Sequence, residues 1–537
     1  MVFTRHLCLI TLAILALAGC SSTSGLFEPS LSGRIKGHVK ILASDAFEGR
    51  GTGSEGYVKA AAYIAGIYTE GGIAPALPNY RQDVPLIAID PGSVSGALTL
   101  AIDGETVPLV PDETVAFLPP SDGVGDGYKA LASGSVVFVG DGVVAPDLGM
   151  NPYENVDVTG KIVAMFRGAA PIDDRATEVH VRRFDVKQRE AAKRGAVGIL
   201  YLDRQDRKLT TLTRLRASHP EGSLALGPGF DAPMPTALLK LETFKAMVSA
   251  SGRDPEEVLD GLANGEAESF ALNASATIET QASAVPIATY NVVGVVRGSD
   301  PALASEAVVV TAHLDHLGMR PLREGEEGPK DRIFNGAVDN ASGTAIIMET
   351  ALELARRGGA ARSVIFASVT AEEAGLLGSA HLARNIADMG FTPVANVNVD
   401  MPVLTYPMND IIGFGEAYSS LGEPLRAAAD AVGLVATEDP VPEMSLFVRS
   451  DHYRFVQEGI PALFLFNGMT DEGLEGFREF MRTHYHRPSD EVSLKLNWKD
   501  AAKLTRMTTD LVERIANDPE RPTWNEGVVF APAKPQG

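Results

Sequence analysis

The sequence predicts an α/β protein: a three-layer α/β/α sandwich with a mainly parallel central sheet, plus a β-rich α/β unit inserted into it. Three observations predict this. From Tyr290 onward, apolar β-branched runs alternate with helical stretches, the order that builds a parallel sheet covered on both faces. From Ser135 to about Asn273 short strand-like runs dominate instead: SVVFVGDGVV, GKIVAMFRG and GAVGILYL. The chain also has 537 residues, more than one ordinary domain uses.

Composition sets the class. Apolar residues make up 45% and charged residues 22%, a globular balance. The formal net charge is -22, with no run of Lys and Arg, which argues against nucleic acid as a partner.

In chain order, Arg5 and His6 open a short n-region, and residues 7–17 form an apolar stretch too short to span a bilayer. It ends in LAGC, which resembles a bacterial lipobox. The resemblance implies that Cys20 is lipidated and becomes the mature N-terminus. It also implies anchoring to the outer membrane of a bacterial envelope, facing the periplasm, since Ser21 follows Cys20. Cys8 and Cys20 are the only cysteines, so the processed chain has neither disulfide nor thiolate ligand. A metal would have to be held by His, Asp and Glu.

Residues 20–30 read as a polar tether. Helical text follows from Leu31, with Gly71 and Gly72 ending the second helix. Short β-runs fill residues 80–119, with an Asp-Gly turn at Asp103 and Gly104. Residues 120–280 hold the β-rich unit, whose His180 and His219 have no metal-like spacing. Residues 281–517 carry the alternating pattern, and the Pro-rich tail at 518–537 reads as irregular.

The chemistry gathers in the 281–517 region. In open α/β sheets, sites form beyond the carboxyl ends of the strands. His313 and Asp315 follow the run VVVTA, Glu372 and Glu373 follow SVIFASVTA, and Asp400 follows NVNV. Asp339 lies in the loop NGAVDNASG, among small residues that let other groups approach, and reads as a carboxylate bridging two metal ions. Residues 371–385 are expected to be one helix, with Glu372 and Glu373 at its start pointing about 100° apart, so that one binds metal and the other faces water. Asp315, two residues after His313 on a strand, shares its face and is expected to orient the imidazole. His486 comes later, in YHRPSDE.

Together, AHLDH, NGAVDNASG, TAEEAGLLGS, NVNVDM and YHRPSDE resemble metallopeptidase family twenty-eight over about 290–515. The resemblance implies two Zn2+ ions bridged by Asp339, one completed by His313 and Asp400, the other by Glu373 and His486. Glu372 is then the general base, and the Asp339–Asn340 bond is cis. Tyr485 is a candidate donor to the oxyanion. His316, Asp451, His452 and His484 lie near the motifs but are given no required role. The strings SVVFVGDG, NVDVTGKIVAMFRG and RGAVGILYL resemble the protease-associated domain, which implies a lid or substrate-selecting insert.

The expected function is a lipid-anchored dizinc exopeptidase. It would remove N-terminal residues from peptides through a metal-bridging hydroxide and a Glu base. A carboxypeptidase of the same fold is the alternative. It would need an arginine for the substrate carboxylate, with Arg320, Arg323, Arg332 and Arg449 as candidates. A non-catalytic receptor lipoprotein on this scaffold would be expected to lack ligands or the base, and this chain has them all.

Overall fold

The computed structural model describes residues 29–119, 128–169, 171–202, 223–227, 234–322 and 331–532. Cys20 and the lipobox lie outside the described residues, as do Arg323 and His219.

Two sheets organise the chain. The larger has ten strands, and its centre is parallel. Ala462–Asn467, Thr392–Val399, Glu306–His313 and Ser363–Val369 lie side by side in that order. These strands are buried on both faces, which their unbroken Val, Ile, Phe and Ala runs require. Antiparallel strands extend both flanks. Ala284–Val296 pairs with Ser363–Val369 and with Arg81–Ile89, and Asp410–Phe414 pairs with Ala462–Asn467.

Helices cover both faces. Leu31–Leu42, Glu55–Glu70, Gly343–Arg356 and Trp498–Asn517 pack against one another on one side, while Leu377–Asn385 and His452–Gln457 meet on the other. Local chemistry sets several helix starts. The side chains of Ser30, Ser54 and Asn497 accept backbone N–H groups from the first turns they cap.

The second sheet has eight strands and its own aromatic core, in which the Phe138 and Phe244 rings lie 4.9 Å apart. Its strands run from Ser95–Ile102 to Phe270–Ala282. The chain leaves the large sheet through Arg81–Ile89 and returns through Ala284–Val296, which are paired to each other. Between these passages Ser223–Leu226 adds itself to the large sheet as an edge strand. Among the described residues no helix is long and apolar enough to cross a membrane.

The parallel register positions the chemistry. His313 pairs with Val369, and Thr311 with Asn398. The loops that carry Glu372, Glu373 and Asp400 therefore leave the sheet at the level of His313, over one edge.

Candidate metal centre

Asp339 stands where sequence reasoning put it, in the loop ahead of helix Gly343–Arg356, and the Asp339–Asn340 peptide bond is cis. Its two oxygens face different partners. Oδ1 lies 3.2 Å from His313 Nε2, and Oδ2 lies 3.3 Å from His486 Nε2. His313 Nε2 is also 2.9 Å from Asp400 Oδ1, and His486 Nε2 is 3.1 Å from Glu373 Oε2. Two sets of nitrogen and carboxylate donors thus share one aspartate.

Neighbouring groups fix which donor atom faces inward. His313 Nδ1 donates to the backbone carbonyl of Asp315 at 2.9 Å, so Nε2 keeps the lone pair that a metal would need. Asp400 is held by a polar chain that starts inside the sheet. Thr311 donates to Asn398 (2.7 Å), Asn398 to Ser450 (2.8 Å), and Ser450 to Asp400 Oδ2 (2.6 Å), which leaves Oδ1 toward His313.

The Asp339 loop is clamped from two sides. Asp490 accepts the N–H groups of Val338 and Asp339 at 2.9 and 3.0 Å. Arg50, fully buried, donates to the carbonyls of Leu42, Leu314, Asn335 and Gly336. Asn340 Oδ1 accepts from Gly343 and Met401, tying the loop to the strand end that carries Asp400.

Two expectations are corrected here. The carboxylate of Asp315 does not orient His313; its backbone does. The side chain instead accepts the N–H groups of Glu372 (3.1 Å) and Glu373 (3.4 Å) and the hydroxyl of Thr52. The reason is that the strand ends at His313, so the alternation of faces no longer applies two residues later. Nor do Glu372 and Glu373 open a helix. They sit in a turn, and the helix begins at Leu377. Asp315 holds both amides, while the Glu373 carboxylate meets His316 and His486 and Glu372 lines the cleft.

His316, given no role from sequence, belongs to the cluster. Its Nδ1 donates to Glu373 Oε1 at 2.6 Å and lies 3.8 Å from Asp339 Oδ2. Glu373 therefore offers Oε2 to the His486 side while Oε1 is occupied. The signal was available in AHLDH, where a second histidine follows the first by three residues. Asp490, Arg50 and Thr52 were also missed. The two nearest the N-terminus act from more than 250 positions away in the chain, a distance that no spacing pattern encodes.

The charge balance fits cations. Asp315, Asp339, Glu373, Asp400, Asp451 and Asp490 crowd around three imidazoles and one guanidinium. Burial pushes Glu372 well above the usual carboxylate range, with Asp400 and Glu373 adding to it. Burial also lifts Asp451 to about 7 and Asp315 to about 6. Two donor triplets, His313/Asp339/Asp400 and His316/Asp339/Glu373, each lie within 4.8 Å, and all are His or carboxylate groups of the kind zinc takes when thiolates are absent. Asp339, Glu372, Asp400, Arg449, Ser450, Tyr485 and His486 line a cleft together with the apolar Met401, Leu446, Phe464, Phe466, Phe477 and Met481. The Tyr485 and His486 rings stack at 3.8 Å.

Residues 291–512, which contain every one of these donors, match the model of peptidase family M28. Over this segment the chain is similar to the M28 peptidases. The chain is accordingly a metallopeptidase, and the matched segment holds the parallel centre of the large sheet, while the covering helices Leu31–Leu42 and Glu55–Glu70 lie outside it. A probable lipoprotein aminopeptidase of Mycobacterium tuberculosis is 24% identical over 431 residues, covering 78% of this chain and 70% of that one. An aminopeptidase of Pseudomonas aeruginosa is 34% identical over 194 residues, covering 35% of this chain and 32% of its own length. Among solved structures, a zinc aminopeptidase from Bacillus subtilis aligns over 91% of this chain and 96% of its own, with 18% identity and a TM-score of 0.42.

Proposed function

We propose that the protein is a dizinc aminopeptidase that removes N-terminal residues from peptides in a bacterial cell envelope. One observation carries this reading: two His-carboxylate donor sets share Asp339, and Glu372 faces the same cleft without belonging to either set. One ion would be held by His313, Asp339 and Asp400, the other by Asp339, Glu373 and His486. When bound, zinc supplies a Lewis acid that polarises the scissile carbonyl and acidifies the attacking water.

The remaining work falls to side chains. Glu372 takes the proton from the attacking water and returns it to the leaving amine. Burial keeps Tyr485 protonated, with Asp339 and Glu373 adding to the effect, so its hydroxyl can donate to the developing oxyanion. Asp400 supplies negative charge for the free amine of the substrate. The apolar wall of Phe464, Phe466, Phe477 and the two methionines suits an apolar side chain beside the scissile bond. The eight-stranded unit is read as a protease-associated insert. Cys20 is read as the lipid anchor, and the similarity to a probable lipoprotein aminopeptidase supports that placement.

Arg449 supports a second reading. It is exposed and lines the cleft beside Ser450, placed for a substrate carboxylate, as a carboxypeptidase would require. Arg332, by contrast, donates to the carbonyl of Arg320, and neither lines the cleft. Activity on aminoacyl-p-nitroanilides, compared with N-blocked peptides, separates the two readings. Glu372→Gln is expected to lower kcat by about 10²–10⁴-fold with metal content unchanged. A purified protein that holds no zinc and cleaves neither substrate would end both readings.

A further inference from the structure

The eight-stranded unit touches the M28-like segment at a place that bears on Glu372. Its helices Arg175–Arg182 and Phe184–Lys193 contact the catalytic side at and around the short helix His452–Gln457. Asp185 accepts from Arg183 at 2.9 and 3.2 Å, from Arg454 at 3.2 Å and from Gln457 at 3.3 Å. Arg454 is buried, and its other terminal nitrogen donates to the carbonyl of Gly375 at 2.7 Å.

Gly375 closes the turn that begins at Glu372. Its N–H donates to the carbonyl of Glu372 at 2.8 Å, as does that of Leu376 at 2.9 Å. Gly375 is exposed, has φ +114°, and has no side chain with which to anchor itself. The turn is thus held at its start by Asp315 and at its end by Arg454. A second bridge runs alongside. Glu458 Oε1 takes Arg189 of the eight-stranded unit at 3.3 Å and Arg384 of helix Leu377–Asn385 at 2.9 Å. That helix begins one residue after the turn.

We propose that Asp185 and Arg454 are positioning residues through which the eight-stranded unit braces the turn at residues 372–376 and fixes where the Glu372 carboxylate stands. This assigns the insert a part in the reaction without contact with substrate, and it rests on Glu372 being the base. A short exposed turn opens easily when it lacks buried partners. A base displaced by about 1 Å can cost on the order of a hundredfold in rate. Arg454 prevents that displacement while Asp185, at 3.2 Å, and Gln457 Oε1, at 2.8 Å, hold its guanidinium in place.

The test uses the full-length holoprotein. Asp185→Asn keeps the shape of a half-exposed side chain and removes the charge that orients Arg454. Arg454→Met removes the bond to Gly375 itself. Arg454→Met is expected to lower kcat by about ten- to a hundredfold and Asp185→Asn by about threefold or more, with KM within about twofold and zinc content unchanged. Hydrogen exchange at the amides of Gly375 and Leu376 should speed up in both variants while protection of the central strands stays as in wild type. If Asp185→Asn retains kcat within twofold and normal exchange at 372–376, the contact only joins two domains and the proposal fails. It also fails if the activity loss follows loss of zinc, because Glu373, not Glu372, would then be what moved. A wild type without peptidase activity would refute the functional reading and leave the exchange measurement to judge the brace alone.

Discussion

Asp339 is the residue on which both donor sets depend, because each of its oxygens serves a different imidazole. Asn at this position offers one oxygen and turns a hydrogen-bond donor toward the other set. Asp339→Asn is expected to lose both ions, not one, measured as zinc per chain after dialysis; retention of two tightly bound zincs would refute the bridge. At this scale the sequence was legible wherever a residue type and a strand end coincide: His313, Glu373 and Asp400. It misled at Asp315, whose carboxylate serves the amides of Glu372 and Glu373 and not the ring of His313. It marked His316 as a second histidine in AHLDH but not its role, because a histidine three positions from another carries no sign of which carboxylate it will meet.

Among the elements, the loop before helix Gly343–Arg356 is tightly constrained. Gly336 has φ +54°, and a Cβ there would lie 2.1 Å from the Asp339 carbonyl oxygen and 2.7 Å from the His316 ring. Gly336→Ala is therefore expected to cost more than about 1 kcal/mol of stability and to weaken zinc binding together, read by urea unfolding and by titration with zinc. The helix His452–Gln457 gives a pH dependence. Burial holds His452 at about 3, against 6.5 for a free imidazole, and holds His180, hydrogen-bonded to Tyr453, at about 4. Between these values and 6.5 the unfolded chain binds protons that the folded chain refuses. Stability is then full above about 6.5 and falls as pH drops, by about 1.4 kcal/mol per unit for each group. Urea midpoints at pH 7 and pH 4.5 should differ less in His452→Gln than in wild type.

At the scale of the whole molecule, the site concentrates buried carboxylates that only cations balance. Removing metal with a chelator is expected to abolish activity and lower Tm, with both recovered on adding zinc, since a ligand bound only by the folded state stabilises it by mass action. An unchanged Tm would mean that the carboxylate cluster tolerates its own charge. The fold class was legible because alternating strands and helices dictate a covered sheet. The antiparallel flanks of the large sheet were not legible, nor was Ser223–Leu226 joining it from within the β-rich stretch. Those pairings depend on which edges meet in space.

By itself, then, the sequence determined the α/β architecture, the loop that carries Asp339, and which His and carboxylate residues offer donors near it. Each follows from local pattern: periodicity, strand ends, and the chemistry of the side chains present. Only the tertiary structure decided which oxygen faces which imidazole, that Asp490 and Arg50 clamp the central loop, and that the eight-stranded unit reaches the Glu372 turn through Arg454. Those are contacts between segments far apart in the chain. They exist because parallel strands bring their ends to one edge, and a linear pattern holds no record of that convergence.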